Sequence, residues 1–211
     1  MEKRADYTDD LKTIKKIMEE SSRFLSLSGL SGIFSGISAI IGGSIAHFGI
    51  LKYRTFFITD SLVTLSAGDI SKIKIQLTAD ALIVLLFSLI ISFYFSSRKA
   101  HRKGYKIWTL ITRRFLLSFM IPLFAGAFFI IILFLENQWF LIVPSMLIFY
   151  GLALISAGIF TYNEIFYLGL AEILIGFCAA IVKGPIVLFW ILGFGILHIG
   201  YGLFMYRKYE G

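Results

Sequence analysis

The chain has 211 residues, of which 58% are apolar and 16% charged, with 22 Phe and 19 Gly. A water-soluble chain carries about 25% charged residues, so this apolar excess must face lipid or other buried helices, and a soluble enzyme fold is excluded. The formal net charge is +7, and the one cysteine, Cys178, lies inside an apolar run. It can form no intrachain disulfide and anchors no Cys-based metal site.

In chain order, residues 1–23 carry six basic and six acidic side chains, unlike the short basic start of a cleaved signal peptide, so this segment is expected to be retained. Residues 9–23 place Leu11, Ile14, Ile17 and Met18 on one helical face, with Lys12, Lys15, Lys16, Glu19 and Glu20 elsewhere. That pattern predicts an amphipathic cytoplasmic helix that lies on the membrane, packs under the bundle or docks a cytoplasmic protein.

Crossing a hydrocarbon core takes roughly 20 helical residues. The stretches 24–51, 76–95, 114–135, 139–160, 165–181 and 185–206 meet that need. The expected fold is all-α: a 1–23 amphipathic segment, a 24–206 domain of six transmembrane helices, and a 207–211 tail. With an even number of spans both termini share a side, and that side holds 15 of the 20 Lys and Arg residues. The positive-inside bias makes it the cytoplasmic side. The basic 97–114 stretch (Arg98, Lys99, Arg102, Lys103, Lys106, Arg113 and Arg114) is read chiefly as this topology signal, with no direct nucleic-acid partner expected beside the lipid bilayer.

Small residues mark helix faces. Gly32 and Gly36 in the first span let another backbone approach, with Ser26, Ser31 and Ser38 available for interhelical hydrogen bonds. That face either closes the bundle or forms a homo-oligomer. The segments Gly29 to Ile41 and Gly169 to Ile181 match at six of thirteen positions, which leaves open an ancestral parallel repeat.

Ionisable residues at membrane depth are costly and therefore functional candidates. Glu172 lies eight residues past the inner end of the fifth span and His198 eight before the inner end of the sixth. A hairpin about Gly184 brings them to one depth. Gly169 and Gly176 flank Glu172 as Gly195 and Gly202 flank His198, and the spacing predicts that these glycines let the two helices approach. Arg114 either snorkels to the interface or joins this cluster by reaching Glu164 or Glu172. His47 and Asp80, near the outer ends of consecutive spans, form a secondary candidate pair. His47 and His198 differ in depth by about 12 Å at the rise of a helix, which disfavours a bis-histidine haem. No spacing indicates a metal or other cofactor, and no motif supplies a nucleophile or a phosphate-binding loop.

The segments Ile17 to Gly32, Tyr162 to Gly176 and Phe194-Gly-Ile-Leu-His-Ile-Gly-Tyr-Gly202 resemble a family of six-helix bacterial membrane proteins found notably in Bacteroidetes. The resemblance covers nearly the whole chain. It implies a six-helix inner-membrane fold and association with small winged-helix regulators, and it implies no activity. Three functions remain in view: a non-enzymatic accessory, sensory or regulatory protein with a cytoplasmic docking face; a transporter of a small solute, ion or proton through Glu172 and His198; and an enzyme acting on a lipid or quinone.

Overall fold

The computed structural model describes residues 27–51, 67–104, 106–182 and 186–210. The amphipathic 9–23 segment, Ser26, the outer loop before residue 67 and the Lys183-Gly184-Pro185 turn lie outside the described residues. Within them the chain is helical without strands, and six helices are long and apolar enough to cross a membrane. They are α1 (Gly29–Leu51), α2 (Ala67–Arg102), α3 (Leu110–Leu135), α4 (Trp139–Gly158, opening on a 3-10 turn), α5 (Asn163–Ile181) and α6 (Ile186–Tyr209). The protein is a multi-pass all-α membrane protein.

The expected boundaries change most in α2. It runs for 36 residues where the apolar window predicts 20, because backbone hydrogen bonds continue a helix past the point where apolar side chains stop. At about 1.5 Å per residue it is some 54 Å long, against about 30 Å of hydrocarbon. Arg98, Lys99 and Arg102 thus belong to its last turns, and Arg113 and Arg114 to the first turn and a half of α3, so the expected 97–114 loop shrinks to 103–109. Thr109 caps α3, its side-chain oxygen accepting from the Thr112 amide.

Packing follows the small residues. α1 sits between α2 and α6, α4 sits between α3 and α5, and α6 meets α4 and α5. The α1–α6 contact is backbone on backbone: a methyl group added at Gly29 would stand 2.5 Å from the Gly202 carbonyl oxygen, and one at Gly36 2.7 Å from that of Gly195. The α4–α5 contact is built alike, with Gly151 and Gly169 each facing the other's carbonyl. Such close approach supplies the dispersion contact that substitutes in lipid for water expulsion. Toward α2, Ser38 reaches Ser88 at 3.1 Å and Ser35 reaches Ser92 at 3.4 Å. Ser31 instead bonds back to the Ser28 carbonyl. The outward faces of α2 and α3 expose residues such as Ile83, Ile90, Phe124 and Phe128, an apolar surface suited to lipid or to another apolar surface.

Candidate functional site

The terminal end of the bundle, where α1 begins and α6 ends, is tied by a polar knot that the sequence reading missed. Lys99, 6% exposed on α2, donates to the Leu27 carbonyl at 2.5 Å and stands 3.2 Å from the Glu210 carboxylate. Glu210 in turn accepts from the Gly29 amide at 2.7 Å and from the Ser28 hydroxyl at 3.0 Å. A carboxylate from the far end of the chain thereby satisfies one of the open N–H groups of α1 and complements its dipole. Alongside, Glu164 accepts from Lys208 and from Tyr209. Lys99 belongs to the basic 97–114 stretch, and its burial follows from the extension of α2.

Half-way along the bundle, Glu172 and His198 meet as expected. Glu172 is completely buried, and its Oε1 lies 3.3 Å from Nδ1 of His198. The contact has ion-pair distance without hydrogen-bond alignment, and neither Glu172 carboxylate oxygen receives a hydrogen bond. The Nδ1 bond runs instead to the Gly193 carbonyl at 3.1 Å. A carbonyl only accepts, so Nδ1 carries the proton, and in the neutral ring Nε2 accepts from the Tyr150 hydroxyl at 2.8 Å.

The local backbone explains this geometry. Residues Ile191–Leu197 form a π-helical turn, and the His198 amide bonds to the Gly195 carbonyl rather than to that of Phe194. The altered ladder presents the Gly193 carbonyl to the His198 ring, a type of irregularity that recurs at functional sites. Gly193 also makes room for the carboxylate: a methyl group there would stand 2.6 Å from Glu172 Oε2 and 2.4 Å from the Leu147 side chain. Phe119, Phe194 and the His198 ring surround Tyr150.

The roles expected of the flanking glycines are corrected. Gly169 and Gly176 face Gly151, Pro144 and Ile148 of α4, whereas Gly195 and Gly202 face Gly36, Ile40, Gly29 and Ile33 of α1. A helix has several faces, and spacing alone does not say which neighbour each meets; Gly193 is the glycine that lets α6 approach Glu172. Gly32 and Gly36 close the monomer's own bundle. Arg114 does not join the cluster: its side chain is exposed on α3, while Glu164 is taken by α6. Asp80 packs its carboxylate against Gly42 of α1, and among the described residues no ion pair joins it to His47. The matched Gly29 to Ile41 and Gly169 to Ile181 segments have different surroundings, α1 packing on α2 and α6 and α5 chiefly on α4.

Tyr150 was legible by the depth argument that found the other two, since it lies eight residues before the terminal end of α4 at Gly158. Among the described residues no group of three or more His, Cys, Asp or Glu could hold a metal ion. Comparison with protein-family models, with curated proteins and with solved structures finds no match to the chain.

Proposed function

We propose that the protein resides in a bacterial inner membrane with both termini in the cytoplasm and moves a small solute, ion or proton at Glu172 and His198. The observation that carries this reading is Glu172 itself: a wholly buried carboxylate whose oxygens receive no hydrogen bond, 3.3 Å from an imidazole. Withdrawing a carboxylate from water costs several kcal/mol. A site that only locked two helices would recover more of that cost by aligning the imidazole N–H with the carboxylate. The positive-inside bias supports the orientation. Glu172→Gln and His198→Ala, reconstituted in liposomes as folded protein, are expected to lose a flux that the wild type supports. Variants that keep the flux, or that simply unfold, would make the pair structural.

A second reading, a sensory or regulatory protein docking a cytoplasmic partner through residues 9–23, is favoured by the polar knot. It fastens residues 27–29, the outlet of that segment, to α2 and α6 at once. Deleting residues 1–20 is then expected to preserve folding and abolish recovery of the partner from host membranes; unchanged recovery would count against docking.

A further inference from the structure

We infer that the face of α2 turned away from α1 is a binding site for one anionic phospholipid of the leaflet at the terminal end, with its phosphate on Arg98 and His101. α2 meets α1 through Ser88, Ser92 and Phe95, which touch Ser38, Ser35 and Phe34. At 3.6 residues per turn, Ile90, Phe93, Ser97 and His101 fall on the opposite side. Among the described residues they line, together with Leu89, Tyr94 and Arg98, an open recess of about 640 Å³.

Three chemistries follow one another along this stripe in the order that a phospholipid presents them. Leu89, Ile90 and Phe93, each at least half exposed, offer an apolar track for an acyl chain. Next toward the terminal end, Tyr94 and Ser97 bring hydroxyl groups that can donate to ester carbonyls. Arg98 and His101, three residues apart on the helix and both exposed, bring N–H groups to phosphate oxygens, Arg98 as a bidentate fork. From Leu89 to His101 the helix rises about 18 Å, close to the roughly 20 Å of one leaflet with its headgroups.

Charge selects the class of lipid. The chain has no Asp or Glu between Asp80 and Glu136. Lys99 is taken by Glu210 on the α1 side of the helix, whereas Arg98, Arg102, Lys103, Lys106, Arg113 and Arg114 form no ion pair among the described residues. Their charge is left for an anion from outside the bundle. A phosphodiester with an uncharged headgroup supplies that anion, and a zwitterionic headgroup, which carries its own cation, supplies it less well. A topology signal requires only the number of cations near the ends of the spans; a lipid site requires Arg98 and His101 in particular, above the apolar track.

The test titrates the full chain in detergent, where membrane orientation has no influence, with phosphatidylglycerol and with phosphatidylcholine of equal chain length, and follows binding by native mass spectrometry. The wild type is expected to retain one phosphatidylglycerol at least about fivefold more tightly than phosphatidylcholine, the attraction that one basic residue exerts on an anionic lipid surface. Arg98→Gln combined with His101→Gln should remove that preference, and Arg113→Gln combined with Arg114→Gln should leave it at the wild-type value. All four side chains are exposed, so both double variants keep the fold, which circular dichroism checks. Equal retention of the two lipids by the wild type would overturn the inference. So would a preference that survives the loss of Arg98 and His101, or one that falls as far in the Arg113 and Arg114 variant, since the attraction would then be diffuse charge without a site.

Discussion

Gly193 and Gly200 lie about two turns apart on α6, the first in the π-helical turn and the second in ordinary helix, and they meet different surroundings. An added methyl at Gly193 meets Leu147 and the Glu172 carboxylate, while at Gly200 it meets nothing within 4 Å. Gly193→Ala is therefore expected to cost about 1–3 kcal/mol by overpacking, and Gly200→Ala to be neutral or slightly stabilising through helix propensity. Unfolding in detergent, followed by circular dichroism, separates the two. At the same scale, His198→Ala should destabilise more than Glu172→Gln. Removing the imidazole leaves the Tyr150 hydroxyl without its acceptor at a cost of about 1–3 kcal/mol, besides leaving the buried carboxylate without its neighbour. Glu172→Gln keeps the shape of the side chain and removes no hydrogen bond. The same unfolding measurement ranks them, and the reverse order would show that Glu172 carries the stronger interaction.

At the scale of elements, α1 is anchored from outside itself. Its first amide and the preceding serine hydroxyl bond to Glu210, and the Leu27 carbonyl bonds to Lys99. Glu210→Ala is expected to cost about 0.5–2 kcal/mol, the range for loss of an N-cap. It should also speed amide hydrogen exchange at residues 29–32, with the middle of α1 unaffected. Lys99 and Glu210 share this network, so a double-mutant cycle of Lys99→Met with Glu210→Ala should show coupling above about 0.5 kcal/mol; additive losses would mean that the two act separately. The π-helical turn belongs to this scale too. Its register decides which carbonyl faces His198, and nothing in the apolar run of Ile191–Leu197 distinguishes it in the sequence from ordinary helix.

For the whole molecule, the glycine face of α1 is spent within the monomer, against Gly195 and Gly202 of α6. Gly32→Leu is accordingly expected to lower the unfolding temperature and to leave the mass of the detergent-solubilised particle unchanged. A loss of dimer without loss of stability, read by native mass spectrometry, would place that face between protomers instead. The number of spans, their order and the matching depth of Glu172 and His198 were all determined by the sequence, because hydrocarbon thickness and helix rise turn residue counts directly into position along the membrane normal. What counting along the normal leaves open is rotation about each helix axis. The tertiary structure decided that Gly169 and Gly195 face different helices, that Tyr150 hydrogen-bonds to His198 and that Arg114 stays outside the site. It also decided that Lys99 is buried against a carboxylate more than a hundred residues away. These depend on which helices become neighbours, a choice made by the fit of many small contacts at once rather than by any residue's own preference.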